Sequence, residues 1–229
     1  MKVSSKKTVL VVVAHSDDET LGMGGAIRRH VIQGDDVLVV SMTDGVSSRE
    51  KSASETLISR HKSALLASDV LGFKWEECFQ FPDNAMDSCP LLEIVKSVEK
   101  TKLRVCPDIV YTHSGADLNI DHKVVANAVL TAFRPHYNEK CSEIRLFEIP
   151  SATDFGHKNL TGAFEPNLFV EISDEWATKE AALNAYKAEM RNYPNSRSVK
   201  GVKNLAKLRG NQVGLFMAEA FQVIRKIER

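Results

Sequence analysis

An apolar, β-branched run, Val11-Val12-Val13-Ala14, ends in His15-Ser16-Asp17-Asp18-Glu19. One imidazole and three successive carboxylates therefore follow a stretch that reads as a buried strand. In a parallel α/β sheet, ligands bind at the carboxyl ends of the strands. Burying the strand is favourable, but carboxylates crowded at its mouth repel one another, and a divalent cation relieves that repulsion. His and Asp together suit zinc. A helix dipole also favours acids at its N-terminus, so Ser16, Asp17 or Asp18 can equally cap a helix. The segment points to a metal hydrolase without requiring one.

A second cluster supplies what the first lacks. Asp108-Ile109-Val110-Tyr111-Thr112 reads as a strand and ends in His113. A polar, Gly-containing loop follows, then Asp121-His122 at the head of a helical pattern. Val124, Val125, Ala128, Val129, Ala132 and Phe133 recur near a 3.6-residue period. His122 is the third ligand beside His15 and Asp18. A catalytic zinc takes three protein ligands and keeps a fourth position for water. Asp121 is placed either to orient an imidazole or to cap the helix.

Ala14-His15-Ser16-Asp17-Asp18-Glu19 resembles the AHPDDE signature of the PIG-L/LmbE-type zinc de-N-acetylases. Asp117-Leu118-Asn119-Ile120-Asp121-His122 resembles that family's second motif, which ends in Asp-His. Gly22 to Gly25, Arg60 with Ala67 and Leu71-Gly72, and Pro82-Asp83 extend the resemblance over most of residues 7–135. It implies Zn²⁺ held by His15, Asp18 and His122, with Asp17 as general base. Arg60 becomes a donor to the carbonyl oxygen or substrate, or else a helix-surface arginine. Asp121 becomes an orienting carboxylate, and Glu19 packs behind the ligands. The implied reaction removes an N-acetyl group from an amino sugar or sugar conjugate. Ser16 replaces the family's usual Pro, a minor change. Asn119 stands where many members carry a His that stabilises the transition state. Asn donates a hydrogen bond but is never a cation. His113 is then the nearest replacement, or simply a loop-edge histidine.

Composition bounds the alternatives. Lys+Arg and Asp+Glu both number 30 among 229 residues, which argues against nucleic acid as a partner. No apolar run is long enough for a transmembrane helix. A signal peptide over the basic start would be cleaved through the metal motif. Four cysteines with no CxxC pair fit a reducing cytoplasm, and Cys78 and Cys106 read as small buried hydrophobes. The expected partner is a small N-acetylated sugar-type molecule, with a homo-oligomer allowed. A metal-binding relative without turnover is one alternative. A Rossmann-type nucleotide-binding module is another, since Thr20-Leu21-Gly22-Met23-Gly24-Gly25 loosely echoes the dinucleotide fingerprint. The three acids ahead of it would repel a pyrophosphate.

Strands and helices are expected to alternate. Strands fall at Thr8–Val13, Asp36–Met42, Glu77–Phe81, Asp108–Thr112, Ile144–Ile149 and Leu168–Ile172, with an edge strand at Ala220–Ile227. Helices fall at Thr20–Gln33, Arg49–Leu71, Leu91–Leu103, Asp121–Arg134, Glu175–Asn192 and Val199–Arg209. Gly22, Gly24 and Gly25 cost helix propensity, so their backbone must pack closely or approach a ligand. The alternation implies one α/β Rossmann-like domain over residues 1–229, with a mainly parallel sheet ordered near 3-2-1-4-5 and helices on both faces. Residues 1–135 form the metal-bearing core. Residues 136–229 complete the fold and carry a substrate loop at Ser151–Pro166. Arg197 and Arg209 read as solvated surface residues, with contact to an anionic substrate group as the alternative.

Overall fold

The computed structural model describes residues 6–45 and 53–228. The basic start, the loop at 46–48 and the start of the second helix at Arg49 lie outside the described residues. One seven-stranded sheet runs through the molecule in the order β3-β2-β1-β4-β5-β7-β6. Its strands are β1 (Thr8–Val13), β2 (Asp36–Thr43), β3 (Lys74–Phe81), β4 (Ile109–His113), β5 (Glu143–Phe147), β6 (Leu168–Glu171) and β7 (Ala218–Lys226). The first five are parallel neighbours, and β7 pairs antiparallel with both β5 and β6. The expected order 3-2-1-4-5 therefore stands. The last strand, expected at an edge, instead lies inside the sheet.

Period-two alternation sorts β1 between two cores. Val9, Val11 and Val13 join one cluster with Leu21, Ile27, Ala67, Leu183 and Phe221. Leu10, Val12 and Ala14 join the other with Ile94, Val98, Val125 and Val129. The first face is covered by α1 (Asp18–Ile32), α2 (Ala53–Leu71), α6 (Trp176–Ala185) and α7 (Val199–Asn211). The second is covered by α3 (Leu91–Val105) and α4 (Ile120–Ala132). A short α5 (Lys158–Thr161) lies in the β5–β6 connection. The helix expected over Glu175–Asn192 stops early, at Ala185, where Tyr186 is fully buried. The chain beyond it turns back toward the strand ends. Cys78 and Cys106 are exposed, contrary to expectation. Cys78 sits on edge strand β3, and Cys106 is the left-handed cap that ends α3.

The glycines of α1 are there for close packing. A Cβ on Gly22 would come within 2.5 Å of Phe147, and one on Gly25 within 2.6 Å of Ile172. That packing fills the space a phosphate would need at Gly22 and Gly25, which counts against the nucleotide-binding alternative. Met23 leaves helical geometry in mid-helix. Glu219 of β7 satisfies the N–H groups freed there, accepting from Gly25 at 2.9 Å and Ala26 at 2.7 Å. Lys179 of α6 donates to the same carboxylate at 2.6 Å and to the Leu21 carbonyl at 2.9 Å. Breaking a buried pair by removing one partner costs about 3–5 kcal/mol. Lys179→Met should therefore lower unfolding free energy by about 3 kcal/mol or more in urea titrations. A loss below about 1 kcal/mol would mean that the pair does not brace α1.

Candidate metal centre

Two parallel neighbours bring the motifs together. β1 and β4 pair with Val11 opposite Tyr111. Residues just past each strand therefore meet at one edge of the sheet. His15 follows β1, and Asp18 opens α1. His122 sits in the first turn of α4, and His113 ends β4. Asp17 caps α1 with φ 146°, a conformation that non-glycine residues rarely adopt. Such strain persists only where its surroundings enforce it. Here Glu19 accepts the Asp17 N–H at 3.0 Å, and the Asp17 carboxylate is gripped from outside.

His15, Asp18 and His122 are buried, and one ligand atom from each lies within 4.8 Å of the others. Asp18 Oδ2 is 3.2 Å from His15 Nδ1 and 3.4 Å from His122 Nε2. Tetrahedral bonds of 2.0–2.1 Å place ligand atoms about 3.3 Å apart. Asp18 Oδ1 is buried and has no hydrogen-bond partner. A carboxylate with Oδ2 facing two imidazoles and Oδ1 left without a partner fits a cation, and the three residues fit zinc by donor type.

Carboxylates outside this set fix the imidazoles. Asp117 Oδ2 lies 3.1 Å from His122 Nδ1 and accepts the Thr153 hydroxyl at 2.8 Å. Asp121 Oδ2 lies 3.1 Å from His15 Nε2, and its two oxygens accept the Asn84 and Met86 N–H groups. Asp121 thus faces the His15 ring and does not cap α4. The cap is Asn119, whose carbonyl oxygen accepts from the N–H groups of Asp121 at 2.8 Å and His122 at 3.4 Å.

His113 is not a cation at the pocket. It is fully buried, stacks on His122 at 4.0 Å and accepts the Ala14 N–H on Nε2 at 2.8 Å. Burial, reinforced by the charge of His122, holds it well below the ordinary histidine value. Arg60 is buried and lines the same cleft as the ligand candidates. It donates to Ser16 Oγ, to the Ser16 carbonyl and, at 3.3 Å, to Asp17 Oδ1, and it pairs with Glu189 at 3.2 Å. Arg197 overturns the surface expectation, for its Nη2 donates to Asp17 Oδ2 at 2.6 Å. It and Glu189 arrive on the segment after the shortened α6. Their only sequence signal was polarity around a turn. Arg209 lies elsewhere, in a two-pronged pair with Glu148.

A cleft of about 290 Å³ opens onto the ligands. Its walls include Arg60, Asp83, Asn84, Leu118, Asn119, Ser151, Glu189 and Arg197. Of the expected substrate loop, Ser151 and Ala152 line it.

The family model described as "PIG-L: GlcNAc-PI de-N-acetylase" matches residues 10–133, more than half of the chain. The chain belongs to the PIG-L family. The match spans every ligand and Asp17 but ends before Arg197. Diacetylchitobiose deacetylase of Thermococcus kodakarensis is 25% identical over 197 residues, covering 80% of this chain and 70% of that protein. A 4-oxalmesaconate hydratase of Pseudomonas putida is 26% identical over 212 residues, covering 78% and 72%. The solved N,N'-diacetylchitobiose deacetylase of Pyrococcus horikoshii shares the fold with a TM-score of 0.77 at 23% identity, covering 96% of this chain and 85% of that one.

Protonation and metal binding compete in the cluster. Burial opposes the charged form of His122, but Asp18 and Asp117 outweigh it and raise the imidazole to about 9. His15 is also held well above its ordinary value, because Asp121, Asp18 and Asp83 outweigh its burial. Ligands must be deprotonated, so binding releases protons. Zn²⁺ affinity should rise with pH until about 9, with proton release seen by calorimetry in buffers of different ionisation heat. Affinity independent of pH between about 6 and 8 would contradict these charge states.

Glu19 titrates in the opposite sense to an ordinary salt-bridged acid. Burial raises it from 4.5 to about 7. Its contribution to stability is complete below about 4.5 and is lost as pH rises through about 7. Glu19→Gln should remove a pH-dependent component of about 3 kcal/mol from metal-free unfolding curves. Parallel curves for variant and parent would refute it.

Proposed function

We propose that this chain is a zinc-dependent N-deacetylase acting on an N-acetylated amino sugar or sugar conjugate. The observation that carries it is a carboxylate, Asp17, next in sequence to Asp18 of a three-residue His/Asp ligand set. Family membership and the 25%-identical diacetylchitobiose deacetylase support the substrate class. So does the cleft, where Asp83, Asn84, Asn119, Ser151 and Glu189 offer hydroxyl partners beside apolar Leu118.

His15, Asp18 and His122 would hold the cation. It supplies Lewis acidity toward an amide carbonyl and toward water. Asp17 accepts the proton of the attacking water and returns it to the leaving nitrogen. Each of its oxygens accepts from one arginine, which leaves a further acceptor direction on each for the proton of water. Arg60 keeps Asp17 aligned and offers its one remaining N–H, on Nη1, to the acyl oxygen. Asp117 and Asp121 hold the two imidazoles in place. Asn119 holds the start of α4, so the positive charge that a histidine would bring there falls to the arginines that flank Asp17, Arg60 first and Arg197 beside it.

A hydration reaction is a second reading, favoured by the 26%-identical hydratase. It uses the same activated water but releases neither acetate nor amine. A panel of N-acetylated sugars and sugar nucleotides, assayed for acetate and free amine, separates the two. Deacetylation should yield both products in equal amounts, and their absence across the panel would sink the proposal. Asp17→Asn should lower kcat by about 10²–10⁴ with metal content unchanged. Activity within a few-fold of the parent would remove Asp17 as the base. Arg60→Ala should cost about 10²–10³ in kcat, as loss of an oxyanion donor does, whereas His113→Ala should not act through charge.

A further inference from the structure

A second cavity, of about 580 Å³, opens at the other edge of the sheet. Lys7 before β1, Asp35 before β2 and Ile109 at the start of β4 place it at the amino ends of the strands. Arg29 and His30 reach it from the last turn of α1, and Arg145 from β5. The metal ligands all lie beyond the carboxyl ends, and the reaction proposed above uses none of these residues.

A hydrogen-bonded chain fixes the cavity wall. Arg145 Nη1 donates to the Tyr111 hydroxyl, and His30 Nε2 lies 2.9 Å from the same oxygen. A guanidinium only donates, so the hydroxyl donates in turn to His30 Nε2. His30 then carries its proton on Nδ1 and donates it to Asp35 Oδ2 at 2.7 Å. Burial, with the charges of Arg145 and Lys7, holds His30 below its ordinary histidine value despite Asp35, in keeping with a neutral ring. Asp35 Oδ1 accepts the Lys7 N–H at 2.9 Å. The one acid in the wall is therefore engaged on both oxygens.

The cations keep donors to spare. Arg145 is held by Glu143 at 2.8 Å and by Tyr111, and its guanidinium lies over the Tyr111 ring, 5.2 Å from the centroid. Two of its five N–H groups are used. Arg29 gives one N–H to the Glu171 carbonyl at 3.0 Å. Among the described residues, neither Arg29 nor Lys7 pairs with a carboxylate. Three cations thus converge from three elements, while Asp35 and Glu143 already have partners. A guanidinium fixed in one pose, with spare N–H groups beside a cavity, is preorganised for an oxyanion. A tetrahedral phosphate presents oxygens in three directions, whereas a carboxylate serves a single plane. We propose that this cavity binds the phosphate group of a small phosphorylated molecule through Lys7, Arg29 and Arg145. The site is separate from the metal centre, and its binding does not rest on the deacetylase reading.

The test is calorimetric titration of the full-length protein with inorganic phosphate at constant ionic strength, with zinc omitted because it would itself bind phosphate. The parent should bind with a Kd of about 1 mM or tighter. Lys7→Gln and Arg29→Gln should each weaken phosphate at least about ten-fold, as loss of one charged hydrogen bond does. Neither side chain bonds to His30 or Tyr111, so the chain behind the wall survives both changes, and thermal melting checks that each variant is folded. Succinate at the same ionic strength should bind at least about ten-fold more weakly than phosphate. Absence of saturable phosphate binding in the parent overturns the site, as does an unchanged affinity in either variant. Phosphate binding lost in Arg197→Gln but kept in Lys7→Gln places the anion in the metal cleft and overturns it too. Succinate bound as tightly as phosphate overturns the assignment to phosphate. None of these outcomes bears on acetate release, which tests the deacetylase reading by itself.

Discussion

Negative charge packed out of water at one edge of the sheet is the constraint on which this structure depends. Asp17, Asp18, Asp83, Asp117 and Asp121 are all buried there, with His15, His113 and His122 among them. Ionised carboxylates so close together and so poorly solvated are unfavourable unless cations face them. The protein supplies Arg60 and Arg197 for Asp17 and backbone N–H groups for Asp121. Asp18 receives imidazoles and one backbone N–H, and still keeps an oxygen without a hydrogen bond. The metal-free cluster compensates by holding protons on His15 and His122. A divalent cation replaces those protons with a charge at the centre of the set.

The fold can carry that arrangement because its support is distributed. β1, buried beyond Thr8, and β4, buried throughout, fix where His15 and His113 emerge. The first turns of α1 and α4 then deliver Asp18 and His122 from opposite faces of the sheet. The kinked, glycine-rich α1 comes close to β5 and β6 only because Gly22 and Gly25 lack side chains. Glu219 and Lys179 hold it there from behind. The shortened α6 frees the chain to bring Glu189 and Arg197 over Asp17, so the C-terminal part completes the site.

Much of this was legible in the sequence. β-branched runs ending in His15 and His113 marked the central strands, because buried parallel strands read as continuous apolar runs. Spacing within each motif gave the three ligand candidates, and alternation gave the sheet order. Tertiary contacts were not legible. Glu175–Asn192 has helical residues to its end, but burial of Tyr186 against Glu19 turns the chain early. Arg197 looked like any surface arginine, since nothing local reveals a partner 180 residues away. The parts of Asp121 and Asn119 were left open for a similar reason. Either can cap a helix, and only the approach of His15 decides which one is needed elsewhere. β7 read as an edge strand because its outer half is polar, and β6 covers only its start.

Zinc K-edge X-ray absorption on protein loaded with one equivalent of zinc tests the centre most directly. The account predicts a four-coordinate shell of nitrogen and oxygen near 2.0–2.1 Å, with the outer-shell signature of two imidazoles and no sulfur. A shell without imidazole scattering, or one containing sulfur at about 2.3 Å, would contradict it.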